Sequence, residues 1–192
     1  LTKDRLYRCL NRIITGNYRS LIQRACFAAT TAQALTLVLY DVTTLYSETQ
    51  KEDSYRKPGL SKERRLEPQI VVGLLVDQTG FPLSVHSFEG NTAETKTILP
   101  VLEEFRLEHP LPRMTVVADA AMMSLQNLTA LAAAGYTYIV GSRLTKIPYA
   151  IAEYQKTGNL ADRQIVVDSR PDYRIIYQYK ERRAALDLKN IE

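Results

Sequence analysis

A chain of 192 residues with 45% apolar and 24% charged residues is sized for one globular domain with a real core, or a domain plus an appendage. No apolar run is long enough to cross a bilayer, and the opening Leu1-Thr2-Lys3-Asp4-Arg5 lacks the apolar stretch of a signal peptide. A net charge of +4 permits a nucleic-acid partner without demanding one.

Residues 1–34 read as helical. Leu6, Leu10, Ile13 and Ile14 recur at helical spacing, and Gly16-Asn17 is a stop signal. A second helix follows from about Ser20 to Ala34, with Leu21, Ile22, Ala25 and Ala29 on one face. Arg12, Arg19 and Arg24 fit a solvated face as well as a DNA contact. Cys9 and Cys26 fall in this segment with no partners at zinc spacing, so they are expected to be buried thiols in a reducing compartment. His86 and His109 are too few and too far apart in sequence to add a zinc site. Any metal falls to carboxylates, which select a hard cation such as magnesium or manganese.

The run Leu35-Thr36-Leu37-Val38-Leu39-Tyr40 reads as a buried strand that ends on Asp41, followed by Val42, Thr43 and Thr44. A carboxylate removed from water must be paired, hydrogen-bonded or bound to a cation. Asp41 therefore has two readings: a turn cap working through Thr43 or Thr44, or a functional acid. Residues 47–68 form a long, highly charged, exposed loop. Its cations Arg56, Lys57, Lys62, Arg64 and Arg65 are candidates for phosphate contact.

Ile70 to Asp77 is a second strand, and Gln78-Thr79-Gly80 turns it into a third, Phe81 to Phe88, as an antiparallel hairpin. Glu89-Gly90-Asn91-Thr92 leads into a helix that Thr92 is expected to cap, with Glu94 in its first turn. Ile98, Leu99, Leu102 and Phe105 form its buried face, and Pro110 and Pro112 end it. Met114 to Asp119 is a fourth strand, again closing on an aspartate. A helix capped by Ser124 runs to Gly135, and Tyr136 to Gly141 is a fifth strand. Beyond Arg143 a short helical stretch near Tyr149–Lys156 and a Gly158-Asn159 turn precede strand-like stretches, Gln164 to Asp168 and Tyr173 to Tyr179.

Three hairpin-linked strands followed by strand–helix alternation imply an α/β fold with a mixed five-stranded sheet and flanking helices. In such a sheet the first and fourth strands can be neighbours, which would bring Asp41 and Asp119 to one point at their carboxyl ends. Two adjacent carboxylates repel unless a cation neutralises them, and a divalent metal does so while polarising a phosphodiester. Metal-dependent phosphoryl transfer follows. Two other strand-end aspartate chemistries fit less well. Thr43 stands where phosphoaspartate phosphotransferases carry a second acid, and the hairpin at Gln78–Gly80 contradicts the parallel sheet of a receiver domain.

Four motifs now stand in order. They are Tyr40-Asp41-Val42-Thr43-Thr44-Leu45-Tyr46, Glu89-Gly90-Asn91-Thr92-Ala93-Glu94, Val117-Ala118-Asp119-Ala120-Ala121-Met122, and Tyr138-Ile139-Val140-Gly141-Ser142-Arg143. Together they resemble the DDE transposases of bacterial insertion sequences, in the branch with a β-rich insertion after the fifth strand. The resemblance implies a ribonuclease-H-like core over residues 35–142, after a helical segment 1–34 and before the start of that insertion at 143–192. It implies that Asp41 and Asp119 are catalytic and hold Mg²⁺ or Mn²⁺, and that Asn91 and Glu94 are structural. Double-stranded DNA, both transposon ends and target, is the implied partner. No membrane is implied, a homodimer at full length is one option, and the location is cytoplasmic, with the bacterial nucleoid. The family's third acid lies on a later helix among Tyr, Arg, Glu and Lys at fixed spacing. Glu181, in Tyr179-Lys180-Glu181-Arg182-Arg183, has the wrong neighbours for it. The chain also opens on leucine, so a fragment with two of three acids is expected, inactive by itself. A DNA-holding remnant without cleavage is the alternative.

Overall fold

The computed structural model describes residues 2–30, 35–48, 51–59, 67–109, 113–142, 156 and 161–189. The chain divides into two compact units, Leu1–Ser142 and Arg143–Glu192. The first contains helices α1 (Lys3–Thr15) and α2 (Tyr18–Thr30), then strands β1 (Leu37–Tyr46), β2 (Gln69–Asp77) and β3 (Pro82–Glu89). Helix α3 (Ile98–Glu108), strand β4 (Thr115–Ala118), helix α4 (Leu125–Ala133) and strand β5 (Thr137–Val140) complete it. The second contains strands β6 (Ile165–Ser169) and β7 (Arg174–Gln178), paired antiparallel, and helix α5 (Glu181–Lys189).

The five strands of the first unit form one mixed sheet in the order β3-β2-β1-β4-β5. β1 is its centre, antiparallel to β2 and parallel to β4, and β5 is parallel to β4. The β2–β3 turn is built as its residues predict. Gly80 takes φ 88°, and Asp77 Oδ1 accepts hydrogen bonds from Thr79 N, Thr79 Oγ1 and Phe81 N. One expectation is corrected: β1 does not stop at Asp41. Its ladder with β2 continues to the pair Tyr46↔Gln69, and Val42 to Tyr46 are all good strand formers. Thr43 and Thr44 are therefore strand residues and support no turn.

Period-two alternation sends Val38, Tyr40 and Val42 to the covered face of the sheet, together with Val71, Leu75 and Val116. Against them α3 sets Ile98, Val101, Leu102 and Phe105, all fully buried. Each such side chain contributes about 1.5–3 kcal/mol relative to exposure. The entry to α3 differs from the sequence expectation. Thr92 caps nothing; its N–H donates to Glu89 O, and a single 3₁₀ turn, Glu94–Lys96, precedes the helix. Thr97 stands at the start of α3 instead and turns its hydroxyl back to Glu94 O at 2.7 Å. Ser124 does cap α4, accepting from Asn127 N at 3.1 Å.

Helix α2 docks in an unexpected sense. Its buried positions are Ser20 and Gln23, with Phe27 packed on the core, whereas Leu21, Ile22, Ala25 and Ala29 face solvent. The docking face is polar: Arg19 Nη2 lies 2.6 Å from Glu104 Oε1, Ser20 Oγ donates to Glu108 Oε1, and Phe27 stacks on His109 with centroids 4.0 Å apart. Glu104 also faces His86 of β3 (Oε2 to Nδ1 3.5 Å), and Ser84 Oγ is 2.6 Å from His86 Nε2. This serine–histidine–glutamate array resembles an activated nucleophile, but Ser84 is only 3% exposed, so no substrate reaches it. Against the expectation of two buried thiols, Cys9 is exposed, because α1 buries no residue, and Cys26 on α2 is half-buried.

The cluster makes α2 docking sensitive to acid. Burial pushes the His86 pKa below its ordinary value, Glu104 and Glu108 pull it up, and Arg19 pushes it further down. Burial also lowers His109, with Glu108 opposing and Arg24 assisting. A histidine whose folded pKa is depressed costs nothing above the unfolded value of about 6.5 and destabilises the fold progressively below it. Thermal melts at pH 7.5 and 5.5 should therefore show a larger loss of stability for the native chain than for His86→Gln. Equal losses would show that His86 is not the titrating group.

The loop after β1 is better ordered than its composition suggests, over residues 51–59. Asp53 accepts hydrogen bonds from Tyr55 N and Arg56 N and pairs with Arg56 Nε at 2.7 Å; these bonds hold its carboxyl at about 2. Lys57 exchanges backbone hydrogen bonds with Gln69, Gly90 N donates to Tyr55 O, and Tyr55 Oη donates to Ser87 Oγ. The segment is bolted to the edge of the sheet, not merely solvated.

Candidate active site

The last residue pair of the parallel β1–β4 ladder is Tyr40↔Ala118. Asp41 is the next residue of β1 and Asp119 the first residue past the end of β4, where neighbouring strand backbones run about 4.8 Å apart. Both keep to the sheet face opposite the core, with Leu39 and Val117. The same row extends to β5, where Gly141 follows the pair Ala118↔Val140. A Cβ on Gly141 would lie 3.3 Å from Ala120 Cβ and 3.7 Å from Asp119 Oδ1, so glycine keeps that flank low.

Each carboxylate is oriented by its own following amide. Asp41 Oδ1 accepts from Val42 N at 2.9 Å, and Asp119 Oδ1 accepts from Ala120 N at 2.6 Å. Asp119 is thereby the cap of a 3₁₀ turn, Ala120–Met122, whereas the turn cap expected of Asp41 through Thr43 or Thr44 does not form, since β1 continues past it. Contrary to the sequence expectation, neither carboxylate is removed from water; both residues are exposed. The face around them is only partly covered, with Leu39 and Val117 half-buried and Leu74 exposed.

Two oxygen donors, each with one oxygen still free of hydrogen bonds among the described residues, suit a hard divalent cation. Such an ion is commonly held by one or two carboxylates, with water and substrate phosphate completing the shell. Among the described residues no group of three or more His, Cys, Asp or Glu side chains converges. Glu181 opens helix α5 in the second unit, its N–H bound to Asp162 Oδ1. A helix at this position was not expected, although its neighbours still do not match the third-acid pattern.

Of the candidate phosphate contacts, Arg56 pairs with Asp53 and Lys57 with Glu89 at 2.5 Å. Lys62, Arg64 and Arg65 lie outside the described residues. An ion-paired cation must give up its partner to bind phosphate, which weakens the case for Arg56 and Lys57.

The support under the two aspartates was not legible residue by residue. Tyr40, buried directly before Asp41, lies across Gly73 of β2, where any Cβ would collide with its phenol. Burial drives its pKa up, Thr97 offsets part of that, and the charge of Asp41 adds to it. Its Oη meets no strict hydrogen-bond geometry among the described residues, so the contact with Thr97 is a loose one. On the other side, Asn127 of α4 sends its side-chain amide to Met122 O and Thr95 O, at 3.0 and 2.6 Å. It ties the turn after Asp119 to the entry of α3. The only sequence signal for it was a polar residue one turn before Leu131 on a buried helix face.

The strand order, the mixed pairing and the flanking helices make this unit a ribonuclease-H-like α/β domain. Residues 33–187 match the Transposase DDE domain family, and the chain belongs to that family. Among solved structures it is similar to a piggyBac transposase in a synaptic complex with hairpin DNA, at 11% identity and a TM-score of 0.51, a likeness of fold. That match covers 77% of this chain and 31% of the other, so the chain spans about a third of the piggyBac protein's length. A Mos1 mariner paired-end complex with Mn is also matched, at 10% identity and a TM-score of 0.38, over 72% of this chain and 53% of the other. Curated protein sequences give no match. No helix among the described residues is long and apolar enough to cross a membrane.

Proposed function

We propose that this chain is the core of a transposase of a bacterial insertion sequence, which cuts and joins DNA at the element's ends by metal-dependent phosphoryl transfer. The observation that supports it is the register: Asp41 and Asp119 are consecutive with one paired row of parallel strands, on one open face. In this reading Asp41 and Asp119 hold Mg²⁺ or Mn²⁺, with the remaining acid supplied from a later helix. When bound, the metal polarises the scissile phosphodiester and activates water or a 3′-hydroxyl.

The protein's own part is positioning. The Val42 and Ala120 amides fix one oxygen of each carboxylate and leave the other for the cation. The low flank at Gly141 leaves room for a sugar–phosphate backbone beside Asp119. The chain's excess of basic residues favours the polyanion at long range. The work is nucleoid-bound and cytoplasmic in this reading, with two copies handling two DNA ends.

The test is cleavage of duplex DNA carrying the element's end sequences by the full-length protein. Nicking should require Mg²⁺ or Mn²⁺ and stop when the metal is chelated. Nicking that survives chelation would overturn the proposal. Salt-sensitive binding of the same DNA with no cleavage in either metal would identify the DNA-holding remnant instead.

A further inference from the structure

The two aspartates are held by unequal means. Asp41 lies inside β1, whose ladder with β2 runs on for five more residues, to the pair Tyr46↔Gln69. Asp119 stands past the end of β4, so its position depends on the 3₁₀ turn Ala120–Met122 that follows it. That turn is weak by itself. Its own bonds are long, Met122 N to Asp119 O at 3.2 Å and Met123 N to Ala120 O at 3.4 Å, as suits the poorer geometry of 3₁₀ backbone. A group from outside the turn ties it down: Asn127 Nδ2 donates to Met122 O at 3.0 Å and to Thr95 O at 2.6 Å.

We propose that Asn127 is the positioning residue for Asp119, fixing its carboxylate where it can share a cation with Asp41. This role rests on the metal site proposed above and adds to it a residue that never touches the ion. Both partners of Nδ2 are carbonyl oxygens, so only the amide end can face them, and both of its protons are used. Asn127 is 6% exposed and stands one helical turn before Leu131, which is fully buried. A buried amide without partners would cost far more than a leucine there, so the two bonds are what make it tolerable. Its aim is set by the start of α4, where Asn127 N donates to the capping Ser124 Oγ. The far end of the tie matters as well. Thr95 belongs to the 3₁₀ turn before α3, and two residues on Thr97 meets Tyr40, directly before Asp41. The tie therefore joins the turn after Asp119 to the segment packed against the strand that carries Asp41. Without it the Met122 peptide is free to rotate, and Asp119 moves with it. A cation such as Mg²⁺ demands near-ideal octahedral geometry, so a displaced ligand binds it less well.

Mn²⁺ uptake by the full-length protein with duplex DNA, read from the paramagnetic resonance of the free ion, tests it. Asn127→Leu keeps the volume and the helix while removing both donors, and Asn127→Ala is the second variant should leucine not be accommodated. Leu131→Ala is the control: it empties a buried site one turn along the same helix and leaves the tie intact. The Asn127 variants should bind Mn²⁺ about tenfold more weakly than the native chain. Leu131→Ala should lose as much melting temperature or more and keep the native affinity. Asn127 variants at native affinity, beside a weakened Asp119→Asn, would overturn the role of Asn127 alone. So would a Leu131→Ala protein weakened as much as they are, since lost stability would then explain the effect. A native chain that takes up no Mn²⁺, or an Asp119→Asn variant that binds it as well as native, would overturn the metal site and this role with it.

Discussion

Asp41→Asn and Asp119→Asn, made in the full-length protein, should each lower metal-dependent DNA cleavage by about 10³-fold or more, some 4 kcal/mol of transition-state stabilisation. The substitution removes one negative charge and little else. An asparagine oxygen still accepts from the Val42 or Ala120 amide, so the strand end and the 3₁₀ turn keep their shape. Both positions are exposed, and neither side chain is packed in the core. Thermal stability should therefore be unchanged while cleavage is lost, and binding of DNA should persist. Single-turnover nicking at matched protein and metal concentrations is the check. Full activity in either variant would remove that residue from the reaction.

Gly90→Ala should destabilise the first unit by about 3 kcal/mol or more, lowering its melting temperature by roughly 6–12 °C. Gly90 sits where the loop segment 51–59 crosses the edge of the sheet. A Cβ there would collide with the backbone oxygens of Gln69 and Lys57, and backbone cannot step aside as a side-chain tip does. Those oxygens belong to the Lys57–Gln69 exchange that pins the segment, and Gln69 Nε2 in turn donates to Gly90 O at 2.7 Å. Relief of the clash means breaking that set of bonds. Hydrogen exchange should then show the amides of Lys57 and Gln69 opening before those of β1. A melting temperature within a degree of the native value would contradict the account.

Much of this architecture could be read from apolar runs. β2, β4 and β5 are dense in apolar strand formers and bounded by Gly, Asp or Pro, so their existence and order follow from the sequence. The two aspartates could be singled out because each interrupts such a run. What failed did so for identifiable reasons. The charge of Asp41 reads as a strand end, although the next five residues are strand formers paired to β2. Thr92 looked like a cap because periodicity does not distinguish a 3₁₀ turn before a helix from the helix itself. Composition makes the segment 51–59 an exposed loop and does not show its anchor, which is made by Gln69 and Gly90, distant in sequence. Helix α5 is masked in the sequence by the strand-like alternation at Tyr173 to Tyr179 just before it, although Glu181 to Leu186 are good helix formers.

The orientation of α2 is set by contacts that its own sequence does not contain. Amphipathic periodicity locates an apolar stripe but not what it faces. Here Ser20, Gln23 and Phe27 meet the domain, and the stripe is left outside. The docking side chains are ones a sequence reading assigns to solvent, and only the positions of Glu104, Glu108 and His109 on α3 make them a fit.

Asp41 and Asp119 acting as one cation site should be visible in Mn²⁺ binding. Free Mn²⁺ can be followed by electron paramagnetic resonance while native protein, Asp41→Asn and Asp119→Asn are titrated in the presence of duplex DNA. The native chain should take up the ion, and each variant should bind it about tenfold or more weakly, the cost expected for disturbing a ligand set. Equal affinity in all three proteins would contradict a shared site.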